Sequence, residues 1–472
     1  MSGFDVSCHH ALAMPRSSEM KEAASGSRGP RLGGDDQAEW LRRDRESVGQ
    51  SPYPAPLVIE RGSGCELWDL AGTRYLDFES GQFCMSTGHS HPAVAAALRE
   101  QSGELMQIGN RFTNRPRIRL AERLADISGL PQPRTFFCST GSEANETALR
   151  IAKLTTGRFE VISVARGYHG RSSAVFGLSS SARHMRRGYG PSVPGMGYVA
   201  PPYSYRCPFG CGAECDAGCW RYSVGMLERS TAGEPAAVII EFVLGGGGVI
   251  PGSRAWAQAI RNWCDEQGAL LIADEALTGI GRTGSWFAFE HFGVQPDIVV
   301  TSKALGGGVP AAAVIASRRV ADAAIERGFI QAASHQGDPY QCAAALANIA
   351  VIESEDLLRN TIRQGQLLSS HLNRLVQRFA IAGDARGIGL IQGLEIVHSD
   401  GSEAPEVAAE VCVACMNEGL IVGGLRPGIR EGNVLRLAPP LVVTSEQIVE
   451  AVEILEQALK VVSDRRQSLH PA

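Results

Sequence analysis

The chain has 472 residues, 44% of them hydrophobic, and its 45 basic and 50 acidic residues nearly balance. This length exceeds what one small core needs, so we expect a large domain and a smaller one. Because like charges form only short clusters, we expect neither nucleic acid nor a membrane surface as a partner. No uncharged apolar run reaches the length of a membrane span.

Residues 1–38 differ in composition from the rest of the chain. They are rich in Ser, Gly, Ala and charged residues, and they lack the apolar core of a secretory signal. This composition predicts a disordered leader and, by default, a cytoplasmic protein. The 12 cysteines are scattered along a large chain, which argues against a disulfide framework.

Apolar runs after the leader predict the strands of a large α/β domain. They alternate with helical stretches such as 254–267, which indicates a mainly parallel sheet in a domain of residues 87–344. The predicted strands of this sheet lie at 135–139, 160–164, 236–242, 269–274, 297–302 and 310–316.

A smaller, discontinuous α/β domain is predicted from residues 39–86 and 345–465. Its later segment contains a long helix, several short apolar runs and a closing helix. The predicted strands lie at 387–397, 420–425 and 434–437, and the closing helix lies near 445–460.

A change from apolar to small polar residues at 136–146 predicts the start of a helix. Thr140 and Glu143 have the spacing of a capping box, which leaves free backbone N–H groups in the first turn. These N–H groups and the positive end of the helix dipole attract phosphate. Gly141 and Ser142 are therefore candidate phosphate-binding residues, and an ordinary capped helix is the alternative.

Cys207, Cys211, Cys215 and Cys219 recur at every fourth position in a segment broken by Pro and Gly, about residues 204–222. Four thiolates could bind a structural zinc ion, although zinc knuckles usually carry pairs spaced by two residues. The other interpretation is a surface insertion whose small thiols are buried.

Two charged residues follow apolar strands. Asp274 ends one run, and Lys303 ends another and precedes a glycine turn. Poor solvation disfavours the charged form of a lysine and suits attack on a carbonyl to form a Schiff base. A carboxylate at a buried strand end can keep a pyridine nitrogen protonated, which makes the ring an electron sink. With the phosphate site, this pair predicts pyridoxal 5'-phosphate as the cofactor.

Residues 279–284 match the GxGxxG pattern of dinucleotide-binding proteins and follow a strand. A dinucleotide site would open a helix and be followed about 20 residues later by an acid at a strand end. Residues 285–287 do not resemble a helix start, and the later strand ends at Lys303. A nicotinamide-dependent dehydrogenase is therefore the weaker alternative.

Four segments resemble the signature of class III pyridoxal-phosphate aminotransferases, in that family's order. They are residues 88–92 (GHSHP), 139–145 (STGSEAN), 274–284 (DEALTGIGRTG) and 302–308 (SKALGGG). The resemblance implies fold type I, a large domain with a mainly parallel sheet and a smaller discontinuous α/β domain.

The resemblance also implies roles for individual residues. Lys303 would bind the cofactor covalently, Asp274 would meet its pyridine nitrogen, and the Thr140, Gly141 and Ser142 segment would hold its phosphate. Tyr168 matches the aromatic residue that stacks on the cofactor ring; without the resemblance it would be interpreted as a half-exposed packing residue.

Arg436, in a predicted strand, matches the residue that grips the substrate carboxylate in this family, and a planar guanidinium suits that partner. In relatives that act on terminal amines, a glutamate five positions after the equivalent of Glu241 neutralises this arginine. Here that position is Gly246. We therefore expect Arg436 to stay available, which favours α-amino acids.

Within the family, Gln82 and several surrounding segments resemble 2,2-dialkylglycine decarboxylase. A bond perpendicular to the cofactor ring is the one that breaks, so a hydrogen bond from Gln82 to a perpendicular carboxylate would favour loss of CO2. This implies decarboxylation-dependent transamination of an α-amino acid, with a 2-oxo acid such as pyruvate as acceptor. Ordinary transamination without CO2 loss is the alternative, and Leu277 and Gly246 depart from the decarboxylase pattern.

Asp338 also matches the decarboxylase, where an aspartate precedes a proline. The resemblance implies an alkali cation held by Asp338, Asn110 and the backbone carbonyls of Ser334 and Gln336, since hard oxygen ligands suit such an ion. Asn110 replaces a serine, which alters its reach. Ser334 would also contact the cofactor phosphate of the neighbouring subunit, which implies a homodimer or homotetramer.

Overall fold

The computed structural model describes residues 34–49, 55–181, 186–211, 215–423 and 432–469. The α-helices are α1 (Gly34–Ser47), α2 (Pro92–Glu104), α3 (Arg115–Ser128), α4 (Gly141–Thr156), α5 (Ser173–Leu178), α6 (Gly218–Ser230), α7 (Arg254–Gln267), α8 (Arg318–Glu326), α9 (Pro339–Ser354), α10 (Leu357–Arg378), α11 (Pro405–Asn417) and α12 (Ser445–Leu469).

The strands are β1 (Ile59–Ser63), β2 (Glu66–Asp69), β3 (Arg74–Phe78), β4 (Arg134–Cys138), β5 (Val161–Val164), β6 (Met196–Val199), β7 (Ala237–Ile240), β8 (Val243–Leu244), β9 (Ile250–Pro251), β10 (Leu270–Asp274), β11 (Ile298–Thr301), β12 (Ala312–Ala316), β13 (Ala382–Ile388), β14 (Ile391–Ile396), β15 (Leu420–Val422) and β16 (Val434–Leu437). Short 3-10 helices lie at Ser204–Arg206, Ala288–Phe292 and Lys303–Gly306.

A central sheet with the strand order β4-β12-β11-β10-β7-β5-β6 organises the described part of the chain. The pairs from β11 through β10, β7 and β5 to β6 are parallel, whereas β12 runs antiparallel to both of its neighbours. The prediction of an α/β fold with a mainly parallel sheet is confirmed. Strands β7, β10, β11 and β12 are buried along their whole length, which explains their continuous apolar sequences.

Helix α7 shows how local sequence sets an element's bounds. Ser253 precedes the helix, and its side-chain oxygen accepts a hydrogen bond from the backbone N–H of Trp256. Gly268 follows it with φ of 64°, a conformation that glycine adopts without strain. The predicted bounds, 254–267, are therefore correct, and the buried face of the helix carries Trp256 and Ile260 into the core.

Some sequence-based boundaries were wrong. The strand predicted over 387–397 is a hairpin of β13 and β14, turned at Gly389 with φ of 56°. Strand β6 was not predicted, because it is short and lies between glycine and proline residues. Residues 34–38, predicted as part of the leader, belong to α1, and residues 1–33 lie outside the described part of the chain.

Two smaller sheets join distant segments of the chain. One has the order β1-β2-β3-β15, in which β15 pairs in parallel with β3, and the other has the order β13-β14-β16. These strands come from the segments for which the smaller domain is predicted, and the domain boundaries stay predictions. Among the described residues, no helix combines the length and apolar character that crossing a membrane requires.

Candidate active site

A cavity of about 350 Å³ opens at the carboxyl ends of the central strands, where α4 begins. Its size falls in the lower part of the range for small-molecule sites. The cavity brings together six predicted site residues, Thr140, Gly141, Ser142, Tyr168, Asp274 and Lys303. Gln82, Arg436, Ser334, Asn110 and Asp338 do not line it.

The first turn of α4 forms one wall of the cavity. The Thr140 hydroxyl oxygen accepts from the Glu143 backbone N–H at 3.2 Å, so the predicted cap is present. The Glu143 carboxylate accepts from the Ser139 backbone N–H at 2.9 Å, one residue earlier than a strict capping box requires. A Cβ at Gly141 would lie 3.4 Å from the Ala276 Cβ and 3.5 Å from the Ser302 Cβ, so the first turn of α4 lies in van der Waals range of the residues that follow β10 and β11.

Lys303 begins a 3-10 helix directly after Ser302 and is half-buried. Its φ of 40° lies in the left-handed region, which non-glycine residues adopt at a cost and which often marks functional positions. Gly307 and Gly308 follow with positive φ, and a Cβ at Gly308 would lie 2.8 Å from the Met85 sulfur. The backbone therefore turns tightly around the lysine.

Asp274 ends β10 and is buried within a network of donors. Its Oδ2 accepts from His169 Nδ1 at 2.7 Å and from Asn145 Nδ2 at 2.8 Å, and its Oδ1 accepts from the Ala276 backbone N–H at 3.1 Å. Burial opposes ionisation, but the hydrogen bond and charge of His169, the charge of Lys303 and the Ala276 N–H together hold the pKa of Asp274 below its ordinary value. The carboxylate is thus kept charged in a buried place.

His169 continues the network away from Asp274. Its Nε2 lies 3.1 Å from the Ser163 hydroxyl oxygen, and that hydroxyl donates to the Leu178 carbonyl oxygen at 2.9 Å. Because the Asp274 carboxylate can only accept, Nδ1 donates to it, and the Ser163 oxygen, whose own proton points to Leu178, is left to accept from Nε2–H. Sequence reasoning gave His169 and Asn145 no role, although both lie inside the motifs that carry Tyr168 and Ser142.

Glu241 is a second buried carboxyl next to this network. It accepts from the backbone N–H groups of Tyr168 at 2.7 Å and Gly245 at 3.2 Å. Burial, reinforced by the negative charge of Asp274, raises the pKa of Glu241 to about 7. Glu241 therefore fixes the backbone of the loop that carries Tyr168, a role that its sequence position alone did not indicate.

Gln82 lies in a left-handed turn, Ser80–Phe83, that follows β3. Its φ is 58°, and its side chain is exposed. The Asp77 carboxylate holds the turn by accepting from the backbone N–H groups of Glu79 at 2.8 Å and Gly81 at 3.0 Å.

Arg282, a residue that the sequence did not single out, supports the same turn. Its guanidinium is buried, donates to the Ser80 hydroxyl at 3.2 Å and to the Leu390 carbonyl at 3.1 Å, and also donates to the Pro439 carbonyl. Burial lowers the pKa of Arg282 to about 10. The GxGxxG segment that contains it forms a turn packed on other parts of the chain, not the start of a helix.

Arg436 lies in β16 and has a carboxylate partner. Its Nη2 is 3.2 Å from Glu79 Oε1, and its guanidinium carbon lies 4.8 Å from the ring centre of Phe83. The expectation that Arg436 stays available is therefore corrected. Gly246 does lack a side chain, and a Cβ there would lie 3.2 Å from the Tyr168 Cβ, but Glu79 supplies a negative charge from a different element.

Leu277 packs in a small apolar cluster with Phe83 and Val243, outside the cavity lining. A Cβ at Gly245 would lie 2.8 Å from the Leu277 methyl carbons. Leu277 therefore contributes packing beneath the glycine loop.

In the described residues, no hydrogen bond or ion pair joins Asp338, Asn110 and Ser334 to one another. The Asp338 carboxylate accepts from His335 Nδ1 at 2.6 Å, and Asn110 and Ser334 are exposed. Gln107 donates to the Ser334 carbonyl oxygen at 2.9 Å, so this predicted cation ligand already accepts a hydrogen bond.

The four spaced cysteines also do not form a metal centre. Within the described residues, no group of three or more His, Cys, Asp or Glu side chains is arranged to hold a metal ion. Cys211 donates to Asp216 at 3.4 Å, whereas Cys215 and Cys219 are buried in the main core. The described part of this segment fits the surface insertion in part, because Cys215 and Cys219 are buried whereas Cys207 and Cys211 are half-buried.

Comparison with known proteins gives the same assignment as the cavity. Residues 48–459 match the class III aminotransferase family. The chain is 38% identical to an uncharacterised aminotransferase of Schizosaccharomyces pombe, over 89% of this chain and 94% of that protein. It is 35% identical to a probable 4-aminobutyrate aminotransferase of Bacillus subtilis, over 90% and 98% of the two chains.

A solved aminotransferase of Bacillus anthracis superposes with a TM-score of 0.84 at 32% identity, covering 91% of this chain and 99% of that chain. The carboxyl-edge cavity and the mainly parallel sheet define a fold type I enzyme that depends on pyridoxal 5'-phosphate. The chain belongs to the class III aminotransferases. A special closeness to 2,2-dialkylglycine decarboxylase is not supported by these relatives.

The residues of the cavity fit the cofactor that this family uses. Asn145 Oδ1 is buried and has no hydrogen-bond partner among the described residues, so the cavity wall offers an unused acceptor. A Cβ at Gly170 would lie 2.5 Å from the Ser142 hydroxyl oxygen, so glycine leaves that hydroxyl room beside the helix start. A charged carboxylate, a lysine and the first turn of α4 thus face one space.

Proposed function

We propose that this enzyme catalyses ordinary transamination between an amino acid and a 2-oxo acid, without loss of CO2. The observation that carries the proposal is the single cavity shared by Lys303, the charged Asp274 and the first turn of α4. The two relatives described above are named as aminotransferases, one of them for 4-aminobutyrate, which supports amino-group transfer as the reaction.

Several residues would hold the cofactor. The first turn of α4, at Thr140, Gly141 and Ser142, would bind the phosphate, Tyr168 would pack on the ring, and Asp274 would accept a hydrogen bond from the pyridine nitrogen. When bound, pyridoxal 5'-phosphate supplies an aldehyde for the amino group and a ring that withdraws electrons from the reacting carbon.

Lys303 would carry the covalent link and move the proton at the reacting carbon of the substrate. Lys303 lines the cavity, and the tight turn at the glycines after it sets its position. This placement suits a lysine that must release the cofactor during turnover, act as a base, and bind the cofactor again. Arg436 would bind the substrate carboxylate through its planar guanidinium. His169 would act through Asp274, by orienting the carboxylate and keeping it charged.

The decarboxylating mechanism has less support. It requires Gln82 to donate to a substrate carboxylate, but both relatives described above are named as aminotransferases and neither as a decarboxylase. The alkali cation that belongs to that mechanism has no assembled ligand set among the described residues. We therefore favour proton removal, not CO2 loss.

A homodimer or homotetramer is part of the proposal. Ser334 is exposed, and its segment packs beside Ser139, whose hydroxyl donates to the His335 carbonyl oxygen at 3.1 Å. Ile330 and Phe112 near this segment are 70% and 63% exposed. A second copy covering these apolar side chains would bring another chain to the phosphate end of the cavity.

Borohydride reduction of the cofactor-loaded protein, followed by peptide mass spectrometry, tests the cofactor assignment. Reduction leaves the cofactor attached to the lysine that binds it, and this attached group is the label. The chain has four lysines, Lys21, Lys153, Lys303 and Lys460, and the label is expected on Lys303. Lys303→Ala should abolish the label and lower turnover by at least about 10²-fold, whereas Lys153→Ala should retain both. Label on another lysine would contradict the assignment.

A screen of amino donors with pyruvate and CO2 detection tests the reaction. Ordinary α-amino acids or 4-aminobutyrate should give alanine without CO2. Acetone, alanine and CO2 from 2-aminoisobutyrate would instead establish the decarboxylating reaction and overturn the proposal.

A further inference from the structure

Arg436 and Glu79 form an ion pair between residues that are far apart in the sequence. The Nη2 to Oε1 distance is 3.2 Å, and the side chains are 15% and 26% exposed. In a partly buried pair of this kind, the Glu79 carboxylate neutralises the Arg436 guanidinium but stays within reach of water. The proposed carboxylate-binding residue therefore carries its own internal counter-ion.

The fold builds this pair at one place, the start of the left-handed turn. The Asp77 carboxylate fixes the backbone N–H of Glu79, and Phe83, at the end of the turn, packs 4.8 Å from the Arg436 guanidinium. Cys84, the next residue, lines the cavity that contains Lys303. One short segment thus supplies an anion and an aromatic face to Arg436 and part of the wall beside Lys303.

Gly423 makes room for the carboxylate. Its backbone exchanges two hydrogen bonds with Arg436, at 2.9 and 2.8 Å. A Cβ at this position would lie 3.0 Å from both the Glu79 Cγ and its Oε1. The absence of a side chain at Gly423 therefore allows Glu79 to lie against the strand that presents Arg436.

We propose that Glu79 is a specificity-determining residue that competes with the substrate carboxylate for Arg436. The inference rests on the proposed function. A substrate with a carboxylate beside its reacting carbon displaces Glu79 from the guanidinium, and the freed carboxylate becomes hydrated. A donor without that carboxylate leaves the ion pair between Glu79 and Arg436 intact and meets a neutral site. One pocket therefore serves substrates with and without a carboxylate beside the reacting carbon.

Glu79→Gln, an isosteric change that removes the negative charge, tests the competition. The KM values for pyruvate and alanine should fall by a factor of about 2 to 5, the range expected for a partly exposed ion pair, with kcat little changed. The value of kcat/KM for 4-aminobutyrate should stay the same or fall. Glu66→Gln is the matched control, because Glu66 is also 26% exposed and pairs with Arg74 in the small sheet.

Gly423→Ala tests the same idea without changing any charge, because the added methyl group presses on Glu79. Gly423→Ala should therefore lower the KM values for pyruvate and alanine, as Glu79→Gln does. Titration of propanoate into the cofactor-free protein gives a readout that is independent of turnover. Glu79→Gln should bind propanoate about 2 to 5 times more tightly than wild type, and Glu66→Gln should match wild type.

Unchanged KM values and unchanged propanoate affinity in both Glu79→Gln and Gly423→Ala, in a wild-type enzyme that transaminates, would overturn the role of Glu79. A wild-type enzyme that transfers no amino group from any donor would instead overturn the proposed function. In that case propanoate binding still decides whether Glu79 competes for the arginine.

Discussion

The two sides of the site are built in different ways. On the cofactor side, Asp274 and Lys303 follow strands that are adjacent in a buried parallel sheet. On the substrate side, Arg436 is held by Glu79, which lies 357 residues away in the sequence, and by Phe83 at the end of the strained turn. The first side is fixed by the sheet, whereas the second depends on contacts between distant segments.

This difference indicates which side can change. Strand ends in a buried sheet leave little freedom, because shifting Asp274 would disturb β10 and its neighbours. The ion pair between Arg436 and Glu79 involves partly exposed side chains, so a substrate carboxylate can replace Glu79 at a small cost in free energy. We therefore expect substitutions on the cofactor side to have large effects on catalysis, and those on the substrate side to shift selectivity.

Asp274→Asn should have the largest effect. It keeps the shape of the side chain but removes the buried charge that His169 and Asn145 surround, so kcat/KM should fall by about 10²- to 10³-fold, the range expected for loss of one fixed electrostatic group in an active site. Asp297→Asn is the matched control, because Asp297 lies at the opposite end of the sheet and pairs with Arg261 at 2.9 Å. Equal losses of kcat/KM per folded molecule in the two variants would contradict the assignment.

Glu241 gives a prediction about pH. Because burial raises its pKa from 4.5 to about 7, the folded state holds this proton more tightly than the unfolded state. Its contribution to stability is therefore full below pH 4.5 and is lost as pH rises to about 7, by up to about 3 kcal/mol. Glu241→Gln should remove this part of the slope in chemical denaturation measured between pH 5 and 7.5.

Glu275 provides the comparison for that measurement. Burial also raises its pKa to about 7, but its carboxylate accepts from the backbone N–H groups of Ala288 and Phe289, away from Tyr168. Glu275→Gln should flatten the stability profile in the same way. If neither variant changes the slope, burial is not what controls these two carboxyl groups.

His169→Phe should lower kcat/KM by about 10- to 100-fold, since a hydrogen bond to a charged group is worth about 1.5 to 3 kcal/mol. Loss of the donor should raise the pKa of Asp274, so the acid limb of the pH–rate profile should move to higher pH. His169→Asn, which keeps a donor near Asp274, should recover part of the activity. A loss that is the same at every pH would indicate a packing role alone.

The sequence predicted that Thr140, Asp274 and Lys303 lie together, as the cavity lining shows, because the signals for them are local. Thr140 and Glu143 are neighbours in one helix turn, and Asp274 and Lys303 end apolar strands whose parallel pairing brings their ends to one edge. The roles of His169 and Glu241 were missed, because a hydrogen bond across the sheet depends on strand order. That order, with β10 between β11 and β7, is not visible in any single segment.

The substrate side could not be predicted for a related reason. Gly246 correctly indicated that one carboxylate is absent, but nothing near Arg436 in the sequence indicates that Glu79 replaces it. The left-handed conformation of Ser80, Gln82 and Phe83 has no sequence signal either, because only Gly81 favours it. The turn exists because Asp77 and Arg282 hold it, and these are tertiary contacts.

Gln82→Gly should have the smallest effect, and it tests whether the turn or the amide matters. Gln82 has φ of 58° and an exposed side chain, so glycine should relieve backbone strain and raise the free energy of unfolding by up to about 1 kcal/mol. Gln82→Ala removes the same amide but keeps the strain, so it should not stabilise the protein.

If both variants keep wild-type kcat/KM, Gln82 serves only to span the turn. A similar loss of kcat/KM in both, at unchanged or increased stability, would show that the Gln82 amide contacts the substrate despite its position outside the cavity wall.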